Sequence, residues 1–248
     1  MTEPRPDPLE PVPEEWERGL AIVAHPDDIE YAAAAMARWT DQGKHIAYCL
    51  LTSGEAGIDG IDPEQSRPLR EQEQRNAAAI VGVHDVEFLG YPDGTLEYSI
   101  GMRRDLARVL RRHRPDMVIT GNFRETWDGT ALNQPDHIVA GRAALDAARD
   151  AGNRWVFREL LDDEGLEPWS GVKAVLADWS PMSTHAVDVT ETFDRGLESY
   201  RAHKVYLDGL GPDAPDPQEF MEGLSRMAGT RLGTRFAVAF ELLPLQLL

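Results

Sequence analysis

Apolar residues fall along this chain in short blocks that alternate with longer stretches where they return every third or fourth position. Blocks at 20–24, 46–52, 86–89 and 117–120 predict buried strands, and the periodic stretches 29–42, 64–81, 100–113 and 137–151 predict helices. In that order they form repeated strand–helix units, the signature of an α/β protein built on a mainly parallel sheet. Further on, 172–177 and 186–189 read as strands, 190–203 as a helix, and "RFAVAFELL" as a closing strand. No stretch repeats another. The Pro- and acid-rich residues 1–18 predict an N-terminal extended arm, "GPDAPDPQE" a surface loop, and 19–248 a single domain.

A chain of 248 residues is long enough for one large domain with a sizeable core. Its formal charge of −18 repels a phosphate backbone, so no nucleic-acid partner is expected. The most basic stretch, "RRDLARVLRRHR", carries Leu106, Val109 and Leu110 at helical spacing, which predicts an amphipathic helix with arginines on its solvated face. No apolar run reaches membrane-spanning length. The first residues have neither a basic start nor an apolar core, so no signal peptide is expected, and the expectation is a cytoplasmic protein without a membrane partner. The lone Cys49 excludes an intramolecular disulfide and a Cys-rich metal site, and inside "HIAYCLLTSG" it reads as a core residue.

In an open parallel sheet, ligands sit beyond the carboxyl ends of the strands. The first strand delivers "HPDD", where a dinucleotide-binding protein would carry a glycine-rich turn. An imidazole and two carboxylates suit a cation instead. Acidic residues at a helix start also serve as caps, so this junction alone decides little. The strand at 117–120 leads through the loop "GNFRETWDGTALN" to a second junction, "QPDHIVAG", where His137 follows Asp136. Two histidines and one carboxylate make an open set that holds a divalent metal and leaves positions for water and substrate. By donor type, zinc, iron, cobalt and nickel all suit it.

At these positions the sequence resembles the LmbE-like or PIG-L zinc-dependent de-N-acetylases, which include enzymes acting on N-acetylglucosaminyl conjugates of inositol and of thiols. The resemblance runs from about residue 20 to the end and is carried by "AHPDDIE" and "PDHIVAG". Supporting matches are "TSGEAG", "REQEQRNAAAIVGV", "LGYPDG" and "YRAHKVY". It implies a single-domain, Rossmann-like three-layer sandwich. It further implies that His25, Asp28 and His137 hold one zinc ion and that Asp27 is the general base. Asp136 would then hydrogen-bond a ligating imidazole, Arg70 and Asp93 would contact the sugar-like part of the substrate, and His203 would approach from the C-terminal part. The chain departs from the family pattern at Gln134, where a histidine is usual. A glutamine offers the developing oxyanion only a neutral hydrogen bond.

The function implied is removal of an acetyl or other small acyl group from an amino-sugar-type small molecule. Two alternatives stand beside it: cleavage of a larger thiol-type conjugate, and a non-catalytic sugar- or metal-binding protein. Retention of Asp27 speaks against the last. Homo-oligomerisation is left open.

Overall fold

The computed structural model of the protein describes residues 7–245. Its elements run β1 (Glu10–Pro11), β2 (Arg18–Val23), a 3-10 turn (Asp28–Ala32), α1 (Ala33–Asp41), β3 (His45–Leu50), α2 (Pro63–Ile80), β4 (Asp85–Phe88), α3 (Ile100–His113) and β5 (Met117–Thr120). They continue with α4 (Pro135–Asp150), α5 (Glu159–Asp162), β6 (Ala174–Asp178), β7 (His185–Asp188), α6 (Phe193–Arg201), α7 (Lys204–Gly209), α8 (Pro217–Leu232) and β8 (Ala237–Pro244).

The strands form one sheet in the order β1-β7-β8-β6-β5-β2-β3-β4. From β6 to β4 all neighbours are parallel, while β8 runs antiparallel to both β6 and β7. The chain moves outward from β2 through β3 to β4, then returns to lay β5 on the other side of β2. The strand order therefore reverses between β2 and β5, and the crevice beyond their carboxyl ends is where such a sheet receives a ligand.

Each side of the sheet has its own core, which explains why the strands are almost continuously apolar. Leu20, Ile22 and Ala24 pack with Met102, Leu106 and Leu110 of α3 and the alanines of α4, and Cys49 is buried among them. Ala21 and Val23 face the opposite side, with Met36 and Trp39 of α1, Ala78 of α2 and Leu197 of α6. The small residues of α1 and α6 let these helices meet closely; a Cβ added at Gly196 would lie 2.6 Å from the Ala34 nitrogen.

Several elements differ from the sequence expectation. Within the described part of the N-terminal arm, residues 7–17 lie against the body: β1 pairs with β7, and Leu9, Val12 and Trp16 are buried. Glu14 accepts hydrogen bonds from Arg38, Trp39 and Gln42. The expected surface loop ends earlier than its composition suggested, because Asp216 caps α8 and Pro217 occupies its first turn. Arg111 is buried instead of lying on the solvated face of α3, donating to the carbonyls of Ala151, Asn153 and Val156 and tying down the chain after α4. Among the described residues, no helix is long and apolar enough to cross a membrane.

Candidate active site

β2 ends at Val23, and the chain turns at once through His25, Pro26, Asp27 and Asp28 into the 3-10 turn. Asp27 adopts φ 86°, a left-handed conformation that a residue with a Cβ holds only when its surroundings fix it, at a cost of about 1–3 kcal/mol. Its backbone N–H donates to the Gln74 side chain (3.1 Å), and that amide donates in turn to Glu30 (2.9 Å). The effect is to turn the two neighbouring aspartates to different partners.

Asp28 meets the two histidines. His25 Nδ1 lies 3.2 Å from His137 Nε2, and Asp28 Oδ1 lies 3.4 Å from the first and 3.1 Å from the second. His137 enters from the first turn of α4, beyond β5, so the triangle bridges the crevice between β2 and β5. Ligands of one tetrahedral zinc, each about 2.0–2.2 Å from the ion, stand about 3.4 Å apart, so this triangle matches one face of such a site.

The opposite nitrogen of each ring is also held. His137 Nδ1 lies 2.9 Å from Asn133 Oδ1, an acceptor, so this nitrogen carries the proton and Nε2 turns its lone pair inward. His25 Nε2 faces Asp93 at 3.1 Å and Asp136 at 3.4 Å, two more acceptors that orient the ring with Nδ1 toward Asp28 and His137. Burial disfavours charge on His25, yet the carboxylates of Asp28, Asp136 and Asp93 outweigh it and push its pKa up to about 12. Burial likewise opposes ionisation of Asp28, but His137 and His25 hold it well below the carboxylate range. The residues thus demand a positive charge at this point and present three converging donors to it, so they fit a divalent ion.

Asp27 stands apart from that triangle. Its carboxylate lies 2.5 Å from Arg70 Nη2, and burial pushes its pKa up to about 6 against the lowering pull of that guanidinium. Arg70 also donates to the carbonyls of Pro26 (2.6 Å) and Gly54 (3.2 Å) and stacks on Tyr206. It is 1% exposed and holds Asp27 in place. The glycines of "TSGEAG" make room for this side chain: a Cβ at Gly54 would lie 2.9 Å from its Cζ, and one at Gly57 2.7 Å from Nη1.

The other expected residues have equally definite places. Asp93 sits behind His25 and also accepts from the Ala56 N–H (2.7 Å). Asp136 shares that position and accepts from the N–H groups of Gly94 and Leu96, fixing the "YPDG" segment. His203 is fully buried behind the site, with Nε2 3.4 Å from Glu30. Gln134 is the N-cap residue of α4; its side chain is exposed and makes no hydrogen bond among the described residues.

Beside Asp28 and His137 is a small pocket of about 20 Å³, lined by Val23, Ala24, Gly121 and Ala140 and by Tyr31, Trp127, Asp178 and Trp179. Trp127 meets the His137 ring edge to face at 5.5 Å. Asn133, Tyr31, Asp178 and Trp179 had not been singled out from sequence. Asp178 and Trp179 lie at and just after the end of β6, where the rule that exposed "HPDD" applies equally. Asn133 precedes His137 by four residues, a spacing that carries no signal until the loop is seen to fold back.

The family described as PIG-L, GlcNAc-PI de-N-acetylase, matches residues 20–148. The chain is 27% identical over 228 residues to the diacetylchitobiose deacetylase of Thermococcus kodakarensis, covering 91% of this chain and 82% of that one. It is 29% identical over 235 residues to the 1D-myo-inositol 2-acetamido-2-deoxy-alpha-D-glucopyranoside deacetylase of Thermomonospora curvata, covering 81% and 72%. Among solved structures, the N,N'-diacetylchitobiose deacetylase of Pyrococcus horikoshii superposes with a TM-score of 0.84 at 23% identity, covering 93% and 85%, a likeness of fold.

Proposed function

Because this chain belongs to the PIG-L family of GlcNAc-PI de-N-acetylases, we propose that it is a zinc-dependent hydrolase that removes an acetyl group from the nitrogen of an amino-sugar-type conjugate. The observation that carries this reading is the convergence of His25, His137 and Asp28, with the separate carboxylate of Asp27 beside them. Zinc, when bound there, supplies Lewis acidity toward the amide carbonyl and toward an attacking water.

The chain's own groups do the rest. Asp27 takes a proton from the water as its oxygen adds to the carbonyl carbon, and returns it to the nitrogen as the C–N bond breaks, leaving acetate and a free amine. Arg70 fixes the direction of that carboxylate. Asn133, Asp93 and Asp136 hold the imidazoles in the tautomers that ligation requires. Gln134, whose amide is not engaged by the protein, is available to hydrogen-bond the carbonyl oxygen. The pocket of about 20 Å³ suits a methyl group, which favours acetyl over longer acyl groups.

Metal analysis and amine release from N-acetylated sugars, before and after chelation, test this reading. About one zinc per chain, with activity lost on chelation and restored by zinc, is the expected result. Amide cleavage that survives complete metal removal would overturn it.

A further inference from the structure

A second cavity lies next to the small pocket beside Asp28 and His137. It is a groove of about 510 Å³ between α8 and the sheet, and Tyr31, Trp127 and Trp179 line both it and the small pocket. Its walls are Met221, Leu224 and Ala228 of α8 and Ala237, Val238 and Ala239 of β8. Trp179, at the entrance, holds φ 53°, a left-handed conformation for a bulky residue, and stacks on Phe220 with centroids 6.2 Å apart and planes 9° apart. Strain of this kind is kept where a side chain's position matters.

Several of the polar side chains along the groove are engaged within the protein. Ser180 donates to Glu241 (2.5 Å), Ser183 to the Ser180 carbonyl (2.7 Å) and Thr230 to the Arg226 carbonyl (2.9 Å). Arg231 donates to the carbonyls of Asp7 (2.9 Å) and Ser183 (3.2 Å), and Asp128 accepts from Thr130 and Ala131. Beyond the aromatic entrance the walls from α8 and β8 are chiefly apolar and offer few hydrogen bonds to the hydroxyls of a second sugar. Met182 (59% exposed) and Met227 (64% exposed) stand near its rim, residues whose unbranched side chains adapt to varied apolar shapes.

We propose that this groove binds an apolar alkyl or aryl tail on the amine side of the substrate, so that the preferred substrate is an N-acetylated amino sugar carrying an apolar aglycone. The proposal rests on the hydrolase reading above and extends it. The tail belongs to the amine side because the acyl side meets a pocket of only about 20 Å³.

The test compares kcat/KM of the zinc-loaded protein for N-acetylglucosamine and for its octyl glycoside below the micelle concentration. The tail is expected to raise kcat/KM at least about tenfold, mainly through KM, since several methylenes leave water. Met227→Glu places a charge on an exposed rim position that the fold tolerates, and is expected to shrink that ratio. Octyl glucoside, which has no amide, is expected to bind and to change tryptophan fluorescence. Binding of octyl glucoside without hydrolysis of any acetamide would overturn the hydrolase reading and support the groove. Equal kcat/KM for the two substrates without octyl glucoside binding would overturn the groove. So would a preference for an N-octanoyl group, which puts the tail on the acyl side, or for an N-acetylated disaccharide over the octyl glycoside.

Discussion

The guanidinium of Arg70 lies 2.5 Å from the carboxylate of Asp27, and both side chains are buried. Removing one member of such a pair strands the other charge. Arg70→Ala is expected to destabilise the protein by about 3–5 kcal/mol in urea unfolding. Loss of the lowering pull on Asp27 also moves the acid limb of the kcat/KM profile to higher pH. A variant with unchanged stability and an unchanged profile would mean that Arg70 does not govern Asp27.

Asp27 is outside the triangle of converging donors, so its chemistry separates from metal binding. Asp27→Asn keeps the size of the side chain and a residue type that accepts a positive φ. It is expected to retain the full metal content and lose about 10²–10⁴-fold in kcat. Metal analysis and turnover on the same preparation decide the matter; loss of both together would make Asp27 a ligand instead.

Asn133 Oδ1 lies 2.9 Å from His137 Nδ1 and also accepts from the backbone N–H of Gln134 (2.8 Å). Asn133→Ala is expected to weaken metal binding by about 10–100-fold, read by competition with a chelator of known affinity. An unaltered affinity would show that the His137 tautomer is set elsewhere.

At the opposite end of the sheet, Glu87 meets His113 (3.1 Å) and Arg112. Burial alone would raise its pKa, but these partners hold it below the ordinary value. A depressed carboxylate stabilises the fold above its unfolded pKa of about 4.3, and the contribution fades as pH falls through the lower folded value. Glu87→Gln is expected to lower the thermal midpoint near neutrality, and the gap from wild type should close as pH falls below about 4. A gap that widens in acid would reverse the assignment.

The parts of this molecule legible in its sequence share one property: neighbours along the chain determine them. The strand before His25, the helix after Asp136 and the position of Cys49 follow from local apolar pattern, and so do the two junctions that meet at the triangle of His25, Asp28 and His137. What escaped depends on distant partners. Arg70 reads as a contact to substrate, and only the folded chain brings the glycines at 54 and 57 and the carboxylate at 27 around it. The enclosure of His203 by Glu30 and the body of the protein is likewise invisible along the chain. Arg111 sits in a pattern that predicts exposure, and only the carbonyls after α4 explain its burial. For α8 the signal was present, since Asp216 and Pro217 make a helix start, but the acid- and Pro-rich residues before it masked that start.

The donors that would grip the metal come from two places far apart in the chain, His25 and Asp28 after β2 and His137 after β5. An ion bound there is a clasp between the two sides of the sheet, and it can form only when β5 has docked beside β2. Metal affinity and the integrity of that strand pairing are then thermodynamically linked: each strengthens the other. At a free zinc concentration one hundred times the Kd, the clasp adds about 2.7 kcal/mol to global stability. Hydrogen exchange in β2 and β5 should therefore slow on loading, so that the same three side chains proposed to serve the chemistry also report whether the chain has closed its sheet.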